Sequence, residues 1–414
     1  MQTKILPEML ASEAGKEADR ILRSCVHCGF CTATCPTYQV LGNELDGPRG
    51  RIYLIKDMLE GSEVTEKTRQ HLDRCLVCRS CETTCPSGID YVRLLNVGRT
   101  LAEQKSPRSL GERLLRRLLL TVLPHSKRFA AALRMGQAFR PLLPRRLKAL
   151  LPASGAQKQA GHIALTHPRR MLLLDGCVQP SLAPEINTAT TLVLDRLGIS
   201  AVSTAKAGCC GALHHHMGEA EASLDLMRRN IDIWWPEIEG GAEAIVVTAS
   251  ACALEIKEYG DFLSHDSHYA AKARRVSELA RDIAEILAAE DLTGLNPAKP
   301  CRIAFHSSCT LQHGLKLNGV VEDILSRLGY ELVPVADAYL CCGAAGTYSL
   351  FQPELADELR SRKLSALTQS APECIATANI GCLHHLQANA DIPVVHWIEL
   401  LAPSPTENPH EMSG

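Results

Sequence analysis

Cys25, Cys28, Cys31 and Cys35 follow one another as C-x2-C-x2-C-x3-C, with Pro36 next. Cys75, Cys78, Cys81 and Cys85 repeat the pattern 50 residues later, with Pro86 next. This spacing is the ferredoxin signature of a pair of 4Fe–4S clusters. Three thiolates at short intervals wrap one face of a cubane. The proline then redirects the chain, so the fourth thiolate of each run faces the other cluster. The expected ligands are Cys25, Cys28, Cys31 and Cys85 for cluster 1, and Cys75, Cys78, Cys81 and Cys35 for cluster 2. Structural zinc sites pair C-x2-C hooks and do not call for two identical runs ending in Cys-Pro.

A second, independent repeat occupies the C-terminal half. Cys177 is followed 32 and 33 residues later by Cys209 and Cys210, then Gly211; Cys309 is followed at the same offsets by Cys341 and Cys342, then Gly343. Each half has one later cysteine, Cys252 and Cys382. Agreement over two halves means duplication. Four thiols brought together would hold a further metal cluster or form a redox centre; the alternative is a paired-cysteine loop kept for packing. Vicinal cysteines such as Cys209 and Cys210 bond each other poorly, because the intervening peptide strains the bridge, so they suit neighbouring ligand positions. Cys301 and Cys374 fall outside both repeats and read as buried thiols. His214, His215 and His216 read as a helix-start or surface run, and His306 as a strand-end residue rather than a ligand.

The elements that position these residues are legible in outline. Apolar runs Met171–Leu174, Ile199–Ser203 and Ala244–Val247 read as strands, each followed by cysteines. Ile303–Phe305, Leu332–Val335 and Cys374–Thr377 do the same in the second half. Helices are expected over Ala183–Leu197 and Met217–Trp234. Alternating strands and helices imply a mostly parallel sheet in each half, with the cysteines at the carboxyl edge where ligands bind. Between the ferredoxin runs lie 39 residues, including an amphipathic helix over Arg51–Leu59. Gly47–Arg51 reads as a turn carrying two cations, Arg49 and Arg51, either near the clusters or in a solvated loop. The expected fold is therefore α+β and multidomain. An α-helical ferredoxin-like domain covers 1–104, and a basic amphipathic helical bridge and linker covers 105–168. Two duplicated α/β cysteine-rich domains cover 169–295 and 296–414.

Composition narrows the function classes. The formal net charge is −2 and aromatic content is 4%, which argues against a nucleic-acid-binding surface,. Eighteen cysteines in a chain of 414 residues without a signal-peptide pattern point to metal or redox chemistry rather than a secreted disulfide scaffold,. Apolar runs fall short of the roughly 18–20 residues that span a bilayer, so a cytoplasmic chain is expected. Residues 105–148 hold 12 Lys plus Arg against one acid, Glu112, interleaved with leucines. Such helices lie on anionic membrane surfaces or an acidic partner, or pack on the protein's own domains. Residues 152–167 read as a flexible linker. No dinucleotide fingerprint, Walker loop, H-E-x-x-H or G-x-S-x-G stands out, which suits a conduit for electrons better than a substrate-converting enzyme.

The segments Cys25–Tyr38, Leu45–Tyr53, Cys81–Gly88, Asn230–Pro236, Leu311–His313, Thr377–Cys382 and His396–Glu399 resemble the iron–sulfur subunits of bacterial glycolate oxidases. That group lies within the heterodisulfide-reductase-like cysteine-rich (Cys-Cys-Gly) family. The resemblance covers nearly the whole chain and is weakest in the basic bridge and after Leu401. It implies an oxidoreductase complex in which this chain is not itself catalytic. The complex would also hold a flavin-containing catalytic subunit and a second flavoprotein-like subunit. It would oxidise glycolate, and also D-lactate, and deliver electrons to a quinone or another acceptor, with this chain on the cytoplasmic face of the inner membrane. The wider family carries C-x-x-C near the end of each half; here Ala249 and Asn379 replace its first cysteine. A five-thiol non-cubane cluster therefore lacks a ligand, while four-thiol ligation stays open. The competing reading is a thiol or disulfide reductase working at the Cys-Cys-Gly sites.

Overall fold

The structure, a computed structural model, describes residues 1–142, 167–204, 206–295 and 301–402. The N-terminal region is helical. Ser12 and Thr65 each accept a backbone N–H three residues on and so cap the helices Glu13–Ser24 and Glu66–Asp73,. The helix expected from Arg51 begins three residues earlier, at Pro48, with Gly47 as its N-cap. Proline at the first helical position costs no hydrogen bond and presets φ, so Gly47–Arg51 is a helix start rather than a free turn. The Tyr91–Lys105 helix packs across it, burying Ile21, Leu22, Ile55, Leu72, Leu94 and Leu95 in one core. At their crossing a Cβ on Gly98 would lie 2.5 Å from Ile55 Cγ1, so only glycine allows the approach.

Each C-terminal half forms one four-stranded sheet. The first contains β1 (Arg169–Leu173), β2 (Ile199–Ser203), β3 (Ile245–Val247) and β4 (Ala280–Asp282), in the order β2-β1-β3-β4. The second contains β5 (Arg302–His306), β6 (Glu331–Leu332), β7 (Cys374–Thr377) and β8 (Val394–His396), in the order β6-β5-β7-β8. Every pairing is parallel. Helices such as Pro184–Arg196 and Pro353–Thr368 connect the strands, and strands covered on both faces read as apolar runs.

Several boundaries differ from the sequence reading. The strand expected at Leu332–Val335 pairs only over Glu331–Leu332. The helix expected over Met217–Trp234 starts three residues later and runs Ala220–Glu239 with Pro236 inside it, and a separate short helix, Ala212–His216, precedes it. The edge strands β4 and β8 were not read from the sequence, because β4 is Ala-Arg-Asp and β8 is Val-Val-His, neither an unbroken apolar run.

The two halves share one apolar core that joins Leu173 and Val246 to Ile303, Ile375 and Trp397. Polar contacts cross the same seam. Ser250 Oγ lies 2.7 Å from both Ser308 Oγ and Thr310 Oγ1, and His396 Nε2 donates to Thr248 O at 2.9 Å.

The bridge contains helices Leu110–Val122 and Ser126–Ala138. Arg108 ties its start to the ferredoxin region through Asp73 and Glu103, and pairs with Glu112 inside the bridge. Leucines packing on the protein's own domains account for Leu120, which is buried, but not for Leu110 and Leu114, which are 81% and 71% exposed. The linker expected over 152–167 lies outside the described residues except His167, as does the tail beyond residue 402. Among the described residues no helix is long and apolar enough to cross a membrane.

Candidate metal and redox centres

The two ferredoxin runs face each other, and their thiols divide across the runs. Cys25, Cys28, Cys31 and Cys85 line one cavity of about 460 Å³. Cys35, Cys75, Cys78 and Cys81 line a second of about 330 Å³, and Cys81 borders both. The wrapping uses left-handed backbone at matching places. His27 and Val77 have φ of 60° and 54°, and Gly29 and Arg79 have φ of 87° and 60°. Non-glycine residues rarely adopt this conformation, and where they do the strain marks a functional turn.

Hydrogen bonds reach the sulfurs: Val77 N–H donates to Cys75 Sγ at 3.4 Å, and Tyr91 O–H to the same atom at 3.8 Å. Burial and the neighbouring Cys25 and Cys85 push the Cys31 thiol up to about 11. Burial drives Cys78 and Cys81 well above the ordinary thiol range. Thiols this crowded become thiolates together only around positive charge, which the iron of a cluster supplies. The donor sets therefore fit 4Fe–4S groups.

The cations of the Gly47–Arg51 segment serve one cavity each: Arg49 borders the first and Arg51 the second. Arg49 pairs with Glu44 at 2.6 Å and is partly exposed. Arg51 is 1% exposed. Its Nη2 donates to Thr37 Oγ1 at 3.1 Å and its Nε to His71 O at 2.7 Å. Burial alone would depress this guanidinium, but Tyr91, Cys75, Cys35 and Asp46 hold it above its ordinary value. Asp46, also buried, accepts from Arg74 at 3.0 Å and pairs with His71 at 2.9 Å. The sequence reading passed over Asp46 and Tyr91, since a lone acid and a lone tyrosine carry no spacing signal.

In the C-terminal halves the thiols gather at the carboxyl edge of each sheet. Cys177 follows β1, Cys209 and Cys210 follow β2, and Cys252 sits in the helix Ser250–Lys257 after β3. Cys177 and Cys210 hydrogen-bond to Cys209, which draws its thiol well below the ordinary range and raises their own. In the second half the free thiols Cys309 and Cys341, Cys341 and Cys342, and Cys342 and Cys382 are hydrogen-bonded in pairs. Gly211 and Gly343 follow the pairs at φ of 99° and 93°. Added Cβ atoms there would lie 2.9 Å from Ser223 Oγ and 2.8 Å from Ala356 O, so the third residue of Cys-Cys-Gly is fixed by close packing. Ala249 and Asn379 stand at helix N-caps, and Asn379 Oδ1 accepts from Gly381 N–H at 2.9 Å.

The two halves differ in their neighbours. Cys78 packs with Cys341, Leu76 and Tyr348 in one apolar cluster, with Cys309 against it. The second cysteine-rich site thus abuts the second ferredoxin cavity. Tyr348 O–H donates to Arg74 O at 3.0 Å, and His313 bridges Thr83 Oγ1 at 3.1 Å and Tyr339 O at 3.0 Å across the same contact. In the first half Cys210 packs instead with Met227, Trp234 and Tyr259. By contrast the first ferredoxin cavity faces outward: Cys28 is exposed, beside Val26 and Phe30 at 69% and 61% exposure.

The remaining residues sort as follows. His214–His216 end a short helix rather than starting one. His215 is structural, its Nδ1 meeting Glu255 Oε1 and its Nε2 meeting Asn96 Nδ2, each at 3.0 Å. Cys374 is buried and Cys301 only half-buried, so the expectation of two buried thiols holds for one. His306 ends β5 as expected. Its ring also lies with Cys342 and Cys382, the three donor atoms all within 4.8 Å of one another.

Comparison with known proteins agrees with this architecture. Residues 21–89 match the 4Fe-4S dicluster domain, and residues 171–257 and 303–387 match the cysteine-rich domain. The chain is 55% identical over 401 residues to the glycolate oxidase iron-sulfur subunit of Escherichia coli (strain K12), covering 97% of this chain and 98% of that one. It is 29% identical to the probable glycolate oxidase iron-sulfur subunit of Bacillus subtilis (strain 168), covering 92% and 93%. Lactate utilization protein A of Exiguobacterium sp. is 25% identical over 54% of this chain and 94% of its own. Among solved structures, a hypothetical protein from Helicobacter pylori shares the fold at a TM-score of 0.50 and 10% identity, covering 95% of this chain and 73% of that one. A dicluster domain followed by two cysteine-rich domains, with identity of this level along almost the entire length, places the chain in the family of glycolate oxidase iron–sulfur subunits.

Proposed function

We propose that this chain is the electron-transfer subunit of a complex that oxidises glycolate, and also D-lactate, to the 2-oxo acid. A flavin-containing catalytic subunit and a second flavoprotein-like subunit are its partners, and a quinone or another acceptor takes the electrons. Cys25, Cys28, Cys31 and Cys85 hold one 4Fe–4S cluster, and Cys75, Cys78, Cys81 and Cys35 hold the other. When bound, each cluster takes up and releases one electron at a time. The observation that carries this reading is the division of the eight thiols into two cavities, each drawing its fourth sulfur from the opposite run.

The chain's own residues hold and tune the sites. Arg51 sets a buried positive charge beside the second, Tyr91 and Val77 donate to Cys75, and the apolar contact of Cys78 with Cys341 keeps water from the seam. Exposed leucines interleaved with arginines on the Leu110–Val122 helix suit peripheral attachment to an anionic membrane surface,. The Cys177, Cys209, Cys210, Cys252 and Cys309, Cys341, Cys342, Cys382 sets are candidates for further iron–sulfur centres.

The test compares the purified complex with the chain alone. Glycolate-dependent acceptor reduction is expected from the complex and not from this chain without its flavoproteins; robust activity of the chain alone would falsify the proposal. Iron and sulfide analysis should give at least about eight irons per chain. A thiol reductase working at the paired cysteines would instead lose turnover in Cys209→Ala or Cys341→Ala with that iron content unchanged.

A further inference from the structure

His306 is 1% exposed, and neither ring nitrogen has a hydrogen-bond partner. A buried polar group left unpaired is destabilising, and buried polar atoms are otherwise nearly always satisfied. Its surroundings supply an explanation. The imidazole shares a pocket with Cys342 and Cys382, and the three donor atoms lie within 4.8 Å of one another. Such a spacing is close to what one ion needs at bond lengths of about 2.0–2.3 Å. Cys309 and Cys341 continue the same chain of sulfur contacts.

The duplication provides an internal comparison. The first and second halves superpose in sequence at an offset of 132 residues, from Cys177 to Cys309 and from Cys209–Cys210 to Cys341–Cys342. At that offset His306 corresponds to Leu174, a buried aliphatic residue directly after the first half's opening strand. Lys363 corresponds to Ile231. Lys363 is 3% exposed, and its Nζ donates to two neutral carbonyls, Asp337 O and Ala338 O, at 2.9 and 3.3 Å. A buried ammonium needs counter-charge. The Cys341, Cys342 and Cys309 sulfurs, with Asp337, are the groups whose negative charge would supply it. The second half thus adds a buried cation, and its opening strand brings an imidazole with both nitrogens unpaired, where the first half has His214, with Nδ1 unpaired, beside Cys209.

We propose that the second cysteine-rich half holds a thiophilic metal centre, zinc or iron, in which His306 is a ligand beside Cys342 and Cys382. Imidazole and thiolate together suit both metals. The neutral ring offers a lone pair, and burial keeps it neutral,. The inference rests on metal binding by this thiol set and not on the assignment of the ferredoxin pair. Either can fail without the other.

The experiment measures iron and zinc in the anaerobically purified complex with the unaltered chain, His306→Ala and His306→Cys. The unaltered chain is expected to carry about one zinc, or iron beyond the eight atoms of two cubanes. His306→Ala should lose that increment while keeping the eight, and His306→Cys, which restores a soft donor, should keep it. The metal that disappears identifies the centre. A chain with about eight irons and no zinc, or an increment untouched in His306→Ala, overturns the proposal. Should His306→Ala fail to fold, the unaltered chain decides. A nitrogen neighbour at about 2.0–2.1 Å beside sulfur at about 2.3 Å in zinc X-ray absorption supports the proposal. Hyperfine coupling to 15N in histidine-labelled protein does so for iron. An all-sulfur shell, or no nitrogen coupling, overturns it.

Discussion

Cys78 and Cys341 pack in one apolar cluster although 263 residues separate them. The contact joins the second ferredoxin cavity to the second cysteine-rich site. A change at Cys341 should therefore be felt by the ferredoxin cluster, whereas a change at Cys209 in the other half should not. Cys341→Ala is expected to alter the line shape or midpoint potential of one reduced cluster in electron paramagnetic resonance, and Cys209→Ala to leave both as they are. Equal responses in the two variants would contradict the asymmetry.

The proposed crossing of the fourth ligands sets a pattern of double substitutions. Cys35→Ser combined with Cys75→Ser removes two ligands of one cluster, so iron should fall by only about four per chain. Cys35→Ser combined with Cys25→Ser strikes both clusters and should remove about eight. Ligands of one site act as a unit, so their substitutions are not additive. Assignment of Cys35 to its own run would reverse the two results.

Arg51 is a fully buried cation within hydrogen-bonding distance of Thr37 and His71. Replacing it by glutamine leaves Asp46 short of a partner and should cost about 3–5 kcal/mol of stability, read from denaturant midpoints. Loss of the positive charge also disfavours an added electron nearby. The potential of the cluster proposed at Cys35, Cys75, Cys78 and Cys81 should move to more negative values, and that of the other much less. Arg51→Lys should restore part of the potential but not the paired hydrogen bonds. An unchanged potential in Arg51→Gln would remove the tuning role.

Asp282 caps the Ile283–Ala289 helix from the end of β4, and its carboxyl is pushed up to about 7, mainly by burial. The bond from Ala284 N–H and the charge of Lys257 oppose that shift, and Glu285 adds to it. One carboxyl oxygen, Oδ2, has no partner, as suits a protonated acid. An acid raised in the folded state weakens the fold as pH rises, because the unfolded chain releases its proton first. Stability should fall from about pH 4, the ordinary aspartate range, to about pH 7 and then level off. Asp282→Asn keeps an oxygen for Ala284 N–H and removes the titration. It should match the unaltered protein near pH 4 and exceed it by a few kcal/mol at pH 8. Parallel stability curves for the two proteins would count against this account.

The sequence by itself determined the chemistry and the architecture. Cysteine spacing is a local code, since the ligands of one cluster face lie within one turn of chain, and a repeated run announces itself at any distance. The Cys-Cys-Gly repeat likewise exposed the duplication, and apolar runs located the buried parallel strands. Edge strands β4 and β8 were hidden because Ala-Arg-Asp and Val-Val-His are not unbroken apolar runs. Tertiary structure alone decided what lies beside each site. Arg51 lies against the second ferredoxin cavity and Arg49 against the first because two residues along a helix turn a side chain by about 200°,. Leu110 and Leu114, apolar by type, lie exposed. Lys363 and His306 reach the second thiol set from a helix and a strand that only folding brings together, and Cys78 meets Cys341 across two domains. Such neighbours depend on packing between elements distant in sequence, which no spacing rule encodes.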